Sequence, residues 1–525
     1  MLVIFSSYCP GGRYIRIIQG MNENYAATLL ALSALVTSLF ILYWRAMSFS
    51  FFGDDFYLLS IISEGPWKVI LPIREIYHYF PVTLLLIGAP RWLGVGEPGV
   101  YHFINIALHC VNAALVYALA LLLLRSRFYA LGASIMFSFF FLNYDPVLWP
   151  LVGNHYLVAA MFCLVSFLSF VGYVEHGTRR RLWLYAACSI LAMYTHETAV
   201  PLLLICVYYG LTKGTPRPTL SFARIAPLLK PHTAPAVALA FLFIVKYHYT
   251  SNIIVSRLSP RKVLENLSAA ACLLSPLNNM NAYWVFSKFG QDLAFLLLIS
   301  ATVLLILGLC YAKTSRELKL TMLWSALFIL PGITVAEPGP RYFYLPSVGW
   351  AIFLAGTARA FVDRLSLKRL CSSEESTIEK RTFLAYAAAG IFFVVISLQG
   401  WRHANKLMDV WEKGDKIARS AVITAVELIE RHPNRKKILI VDQPTRYTGN
   451  DFFGAPLLIS NMRFALALHM NTDCCVIESV RLHSENMFDA SFPMVSKADL
   501  DAASQDPSTL VIIYEPETRA MVPYD

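Results

Sequence analysis

The stretch YHFINIALHCVNAALVYALALLLL, residues 101–124, is long enough to cross a bilayer as a single helix. Spanning about 30 Å of hydrocarbon takes about 20 apolar residues at a rise of 1.5 Å each. The chain as a whole is 57% hydrophobic and only 15% charged. Comparable apolar runs recur along it, at residues 25–44, 128–142, 156–174, 233–249, 291–312, 320–336, 342–362 and 383–401. These runs predict a multi-pass α-helical membrane protein.

The number of spans depends on residues 182–211, an apolar stretch that Thr195, His196 and Glu197 interrupt. One long tilted helix and two short helices both fit its length. Two helices bring the main basic clusters to one side of the membrane, as the positive-inside rule requires. Those clusters contain Arg13, Arg16, Arg125, Arg127, Arg179, Arg180, Arg181, Lys213, Arg217, Arg224, Lys230, Lys313, Arg316, Lys319, Arg364, Lys368, Arg369, Lys380 and Arg381. The count favours about eleven transmembrane helices.

The composition changes after residue 401. An amphipathic helical pattern covers residues 404–431, and the strand-like runs KILIVD, CCVIES and TLVIIY follow it. We therefore expect a cytoplasmic N-terminus (1–24), a transmembrane domain (25–401) with long outer loops at 45–100 and 250–290, a juxtamembrane helix (402–435) and a small extracytoplasmic α/β domain (436–525). No GxGxxG or P-loop pattern occurs in the tail, so nucleotide binding is unsupported there.

The distribution of charge and of cysteines argues against nucleic-acid binding and against a cysteine-based metal site. The net charge of +10 falls in short clusters between apolar runs, which is a topology signal, so nucleic acid is not an expected partner. The ten cysteines show neither a CxxC pair nor Cys/His metal spacing.

Two adjacent carboxylates, Asp54 and Asp55, follow the first apolar run within the outer loop. A structural interpretation makes them a helix cap or a solvated turn. A functional interpretation makes one of them a base that takes the proton of an acceptor hydroxyl, while the other holds the acceptor or orients the base. The dipeptide alone leaves both interpretations open.

Four polar residues share one face of the helix predicted at 101–124, namely His102, Asn105, His109 and Asn112. Such a stripe most often joins helices by hydrogen bonds, and this interpretation is favoured for the deeper His109 and Asn112. Two short helices also leave Glu197 below the outer surface, either as a buried hydrogen-bonding partner or as a site residue in a wet cavity.

Several stretches together resemble the GT-C glycosyltransferases related to protein O-mannosyltransferases, especially the members with tetratricopeptide repeats. They are FFGDDFYLL (51–59), HYFPVTLLL (78–86), the stretch at 101–124, AMYTHETAVPLLL (192–204) and GPRYFYLPSVGWAIFL (339–354). The chain departs from the family pattern at Phe80, at His196 and at the Asp145-Pro146 pair, and no repeats follow. The resemblance covers residues 25–362 in order.

The resemblance implies a GT-C fold and an inverting transfer of a sugar from a polyprenyl-phosphate donor to an acceptor hydroxyl, outside the plasma (inner) membrane. Asp54 would be the general base, with Asp55 assisting the acceptor or a divalent metal; no cofactor is established. Arg341 is the best candidate to bind the donor phosphate, since a guanidinium matches phosphate with two hydrogen bonds, although it could instead be an interfacial anchor.

Arg74 and His196 are further candidates for the phosphate. The cavity is expected to be lined by His102, Asn105, Asp145, His155, Glu197, Tyr342 and Tyr344. The partners would be the membrane lipid, the lipid-linked sugar and a protein, lipid or glycan acceptor. A surface-polysaccharide polymerase or ligase, and a transporter or flippase of lipid-linked sugars, remain alternatives.

Overall fold

A computed structural model describes residues 14–72, 79–213, 229–249, 259–273, 315–333, 339–367, 375–444, 446–447, 455–458, 462–470, 476–482 and 493–524. Helices dominate it. They are α1 (Tyr14–Tyr43), α2 (Asp54–Ser63), α3 (Pro66–Ile70), α4 (Pro81–Trp92), α5 (Pro98–Leu124), α6 (Arg127–Ser138), α7 (Tyr144–Leu148), α8 (Val152–His176), α9 (Arg179–Thr195), α10 (Leu202–Thr212), α11 (Thr233–Tyr249), α12 (Pro260–Leu273), α13 (Arg316–Ile333), α14 (Tyr344–Leu367), α15 (Glu375–Arg431), α16 (Met462–His469) and α17 (Lys497–Gln505).

Five helical segments in the described part of the chain are long and apolar enough to cross a membrane, or six if the bent pair α6 and α7 forms one span. The five are Ala26–Ser48, Pro98–Leu124, Val152–His176, Pro340–Asp363 and Phe383–Arg431. The chain is thus a multi-pass membrane protein. The span predicted at 291–312 and most of the loop predicted at 250–290 lie outside the described residues, as do residues 1–13.

The interrupted stretch at 182–211 consists of two helices. Helix α9 ends at Thr195, His196 has an extended backbone, and α10 begins at Leu202. The start of α9 and the end of α10 lie together, because Arg181 and Lys213 both donate hydrogen bonds to carbonyls near the end of α8. The two helices therefore form a hairpin, as the two-helix alternative predicts.

Several of the predicted basic clusters meet at one end of the bundle. Arg125, Lys213 and Arg316 line a single cavity there, together with Glu175 and Glu317. We call this the basic end. The grouping agrees with the positive-inside count, which placed these three cations on one side of the membrane.

Helix α15 differs from the sequence-based expectation. The predicted span at 383–401 and the predicted juxtamembrane helix at 402–435 form one continuous helix that ends at Arg431. The change from an apolar run to an amphipathic pattern thus marks where the environment of the helix changes, while the helix itself continues.

The tail contains the predicted strands. They are β1 (Lys437–Val441), β2 (Arg446–Tyr447), β3 (Ala455–Pro456), β4 (Val476–Val480), β5 (Thr509–Glu515) and β6 (Ala520–Pro523). The main sheet has the order β4-β1-β5-β6, with β1 parallel to both β4 and β5 and with β6 antiparallel to β5. The C-terminal half of α15 shares a hydrophobic core with this sheet, with α16 and with α2. The tail therefore packs directly on the loop that carries the acidic pair.

Candidate active site

The acidic pair begins helix α2, where Gly53 turns the chain. Gly53 is buried and has φ 45° and ψ −115°, a backbone that only glycine adopts without strain. Its N–H donates to the carbonyl of Leu457 in the tail. Asp54 is half-buried, whereas Asp55 is fully buried. The two neighbouring carboxylates therefore lie in different environments, as adjacent side chains on a helix must.

Both carboxylate oxygens of Asp55 accept backbone hydrogen bonds. Oδ2 accepts from the N–H of Phe52 at 3.0 Å, and Oδ1 accepts from Leu151 and Val152 at 3.0 and 3.1 Å. Burial raises the pKa of Asp55 to about 8, while the three N–H donors act in the opposite direction by favouring the ionised form. Its predicted role toward the acceptor or a metal stays a prediction, and its described contacts are all with the backbone.

Arg341 lies in a 3₁₀ turn at Pro340–Phe343, immediately before α14. Its backbone N–H and its guanidinium both donate to Oδ2 of Asp145, at 3.2 and 3.4 Å. The guanidinium carbon lies 4.9 Å from the ring centroid of Trp149 and 5.6 Å from that of Tyr342. Trp149, which stacks on this guanidinium, also donates to the carbonyl of Phe52, two residues before Asp54. The predicted base and the predicted phosphate ligand therefore lie at the same end of the bundle, which we call the site end.

Trp149 connects these parts, and sequence reasoning missed it. Its Nε1–H donates to the carbonyl of Phe52 at 3.2 Å, and its own carbonyl accepts from Asn105 at 2.9 Å. Its ring lies beneath Arg341 and packs edge-on to Trp411 of α15. In a chain with 14% aromatic residues, a single tryptophan after an apolar run gives no distinguishing signal.

A row of aromatic rings leads away from Arg341. Tyr342 packs on Tyr156 with ring centroids 5.6 Å apart, and Tyr156 packs on His196 at 4.6 Å. His196 lies 6.1 Å from His155, which in turn packs on Phe80 at 4.3 Å. The structure thus brings the predicted residues Tyr342, His196 and His155 together beside Arg341.

Glu197 lies next to this row and pairs with Lys246 near the end of α11, at 3.2 Å. Arg74, the remaining candidate for the donor phosphate, lies outside the described residues. Within the part of the chain that the structure describes, no group of three or more His, Cys, Asp or Glu side chains could hold a metal ion.

The polar stripe on α5 is fully buried and joins helices. His109 bonds to the hydroxyl of Tyr344 at 2.7 Å, and Asn112 donates to the same hydroxyl at 3.2 Å and to the carbonyl of Leu157 at 2.9 Å. Asn105 donates to carbonyls of the loop before α8, and His102 packs edge-on to Phe49. These contacts agree with the hydrogen-bonding role favoured for His109 and Asn112. The cavity-lining role of His102, Asn105 and Tyr344 stays a prediction.

Comparisons with known proteins give two partial sequence matches, while no family model matches the chain. Over 172 residues, 31% of its length, the chain is 30% identical to Protein O-mannosyl-transferase Tmtc2 of Drosophila melanogaster. Over 156 residues, 29% of its length, it is 28% identical to Protein O-mannosyl-transferase Tmtc1 of the same organism. The chain covers 17% of the length of each relative. The predicted resemblance to this group is confirmed over about a third of the chain.

Two solved structures are similar over most of the chain, at low identity. ArnT from Cupriavidus metallidurans, bound to undecaprenyl phosphate, matches with a TM-score of 0.45 and 11% identity over 93% of both chains. The Archaeoglobus fulgidus oligosaccharyltransferase, in complex with Zn and sulfate, matches with a TM-score of 0.40 and 12% identity over 79% of this chain and 59% of that one.

Proposed function

We propose that this chain is an inverting membrane glycosyltransferase of the GT-C type, which moves a sugar from a polyprenyl-phosphate donor to an acceptor hydroxyl. The observation that carries the proposal is the proximity of an acidic and a cationic group that the sequence separates widely. Asp54 in the first loop and Arg341 before α14 lie at one end of the bundle, because Trp149 donates to the carbonyl of Phe52 in that loop and its ring stacks on Arg341. The partial match to O-mannosyltransferases supports the same reaction class.

The reaction requires a base for the acceptor hydroxyl and a cationic group that stabilises the negative charge of the leaving phosphate. The acceptor oxygen attacks the anomeric carbon, its proton passes to the carboxylate of Asp54, and the bond between that carbon and the phosphate oxygen breaks. The bonding electrons leave with the polyprenyl phosphate, whose charge the guanidinium of Arg341 stabilises by two parallel hydrogen bonds. One displacement of this kind inverts the anomeric configuration.

Arg341 is already paired with Asp145 at 3.4 Å and stacked against Trp149. These contacts hold the guanidinium plane in one orientation, which is an advantage when a planar fork must meet phosphate oxygens. A phosphate would share the guanidinium with Asp145, so Asp145 limits how tightly the leaving group is held. We expect Tyr342 and His155 to line the cavity for the sugar and the acceptor, and His196 to be a further contact for the phosphate, because their rings belong to one row beside Arg341.

We infer that the site end faces the outside of a plasma membrane. Helix α5 separates the two ends, because Asn105 in its first part bonds to Trp149 at the site end and Arg125 follows its last residue at the basic end. The basic end also carries Lys213 and Arg316, and the positive-inside rule assigns such an end to the cytoplasm. A lipid-linked donor suits an outer site, because no nucleotide sugar is needed there. The C-terminal domain would then be extracytoplasmic as well.

The proposal is tested by reconstituting the full chain in liposomes with a panel of polyprenyl-phosphate hexoses and with peptide, lipid and glycan acceptors. We expect release of polyprenyl phosphate coupled to a glycosylated acceptor, and loss of that activity in Asp54→Asn. Asp409→Asn is the matched control, because Asp409 pairs with Arg45 on the surface of α15. Its activity should equal that of the unaltered chain.

Other outcomes would point elsewhere. Full activity in Asp54→Asn would remove the proposed base. Movement of lipid-linked sugar across the liposome membrane without covalent transfer would favour a transporter, and extension of a glycan already attached to lipid would favour a polymerase or ligase. Assays with and without a chelator decide whether a divalent metal is required.

A further inference from the structure

Asp55 makes a contact that the acidic dipeptide does not suggest. Its buried carboxylate accepts the N–H groups of Leu151 and Val152, which lie 96 and 97 positions further along the chain. These N–H groups belong to the N-terminus of α8, where the first backbone donors of a helix have no partner within the helix. Leu151, which precedes α8, supplies no side-chain cap of its own. Asp55 therefore caps α8 from another part of the fold.

The segment that ends at this cap also holds Arg341. We call residues 145–152 the bracket segment. At its beginning Asp145 pairs with Arg341, and in its middle Trp149 stacks on the same guanidinium. The segment folds tightly against α8, since a Cβ at Gly153 would lie only 2.0 Å from the carbonyl oxygen of Pro146. Arg341 and the start of α8 are thus parts of one compact unit.

Two attachments join the first loop to the bracket segment. One is the cap made by Asp55, and the other is the hydrogen bond from Trp149 to the carbonyl of Phe52. Asp55 also accepts the N–H of Phe52, which closes the loop on itself. Asp54 lies between these two attachments in the sequence. Its position relative to Arg341 therefore depends on both of them.

We propose that Asp55 is a positioning residue, which locks the first loop to the bracket segment and so sets the separation between Asp54 and Arg341. Asp55 then contacts neither the acceptor nor a metal. This inference rests on the proposed roles of Asp54 and Arg341. Of the two roles that the sequence left open for the second aspartate, it selects the orienting of the base over contact with the acceptor or a metal, and it explains why two adjacent aspartates occur where one base is needed.

The test combines kinetics with hydrogen exchange measured by mass spectrometry on the full chain in detergent. In Asp55→Asn only one side-chain oxygen remains to accept, so the hydrogen bonds from Phe52, Leu151 and Val152 cannot all form and the junction between the first loop and α8 is weakened. We expect faster exchange in peptides that contain residues 151 and 152, and a fall in kcat of up to about 100-fold, because small misplacements of reacting groups cost that much. KM for the acceptor and the response to a chelator should not change.

Asp54→Asn is the matched variant within the dipeptide, and it should abolish transfer without changing exchange at residues 151 and 152. Trp149→Phe removes the second attachment, which is the hydrogen bond to the carbonyl of Phe52. It replaces Asp55→Asn as the test variant if Asp55→Asn does not fold. Its kcat should also fall, and the effects of the two substitutions combined should be smaller than the product of the separate effects, because both loosen one contact region.

Three results would overturn the inference. In the first, hydrogen exchange at residues 151 and 152 is unchanged in Asp55→Asn. In the second, the main effect of Asp55→Asn is a raised KM for the acceptor or a new requirement for metal. In the third, exchange becomes faster but kcat stays that of the unaltered chain. If the unaltered chain transfers no sugar with any donor, the proposed function fails and the positioning role fails with it, whereas the exchange data still decide whether Asp55 caps α8.

Discussion

Replacing Arg341 tests the proposed phosphate site most sharply, because the described contacts show what each substitution removes. Arg341→Gln removes the charge and the two-pronged donor. Arg341→Lys keeps the charge but loses the planar fork and its stacking on Trp149 and Tyr342. If Arg341 binds the donor phosphate, the two variants should weaken the binding of polyprenyl phosphate to different extents.

The expected magnitude follows from the geometry. Hydrogen bonds to charged groups are worth about 1.5–3 kcal/mol each, which corresponds to about a 10- to 150-fold change in affinity. The Arg341 side chain is 23% exposed and already shares its charge with Asp145, so the lower half of that range applies to Arg341→Gln. Arg341→Lys should lose about fivefold, since one charged donor can still reach the phosphate.

The assay is titration calorimetry of the detergent-solubilised chain with a short-chain polyprenyl phosphate. Arg316→Gln is the matched control, because Arg316 likewise lies over a tyrosine ring, 5.2 Å from the centroid of Tyr209, and its guanidinium donates to the carbonyl of that tyrosine. It lies at the basic end, so its loss should leave the affinity unchanged. Equal affinity in Arg341→Gln and the unaltered chain, or an equal loss in Arg316→Gln, would refute the assignment of Arg341.

Three further predictions concern stability and are read from thermal unfolding in detergent. Gly153→Ala forces a methyl group against the carbonyl of Pro146 and should cost about 3 kcal/mol, so an unchanged midpoint would contradict the packing of the bracket segment. Ser496→Ala removes one half of the capping box with Asp499 and should cost about 1 kcal/mol, confined to the tail. Because burial raises the pKa of Asp55 from 3.8 to about 8, ionising it in the folded chain costs free energy, so the unfolding midpoint should fall as the pH rises from 4 toward 8; Asp55→Asn, which cannot ionise, should flatten that slope.

Much of the fold could be predicted from the apolar runs and the placement of charge. The break at His196 and the grouping of basic residues at one end follow from residue patterns that act locally or through the membrane. The continuity of α15 could not be predicted in this way, because hydrophobicity reports the surroundings of a helix and not its end. The span predicted at 291–312 lies outside the described residues and stays a prediction.

The candidate site could be predicted only in part. The acidic pair and Arg341 are recognisable by residue type, but the contact of Arg341 with Asp145, which lies 196 positions earlier in the chain, is a long-range feature. Adjacent aspartates look equivalent in a sequence, whereas the fold buries Asp55 and leaves Asp54 half-exposed. Trp149 is indistinguishable from other tryptophans in the sequence, because its role comes from its contacts with Phe52, Asn105, Arg341 and Trp411. Such roles come from tertiary packing, which local patterns do not encode.

The most direct measurement separates binding from chemistry in Asp54→Asn. The full chain is mixed with a smaller amount of a polyprenyl-phosphate hexose, so that all of the donor is bound, and acceptor is then added. The release of polyprenyl phosphate reports the single turnover. If Asp54 is the base, the variant binds the lipid-linked donor with unaltered affinity, but no polyprenyl phosphate is released when acceptor is added. Release at the rate of the unaltered chain, or a loss of lipid binding equal to the loss of transfer, would contradict that role.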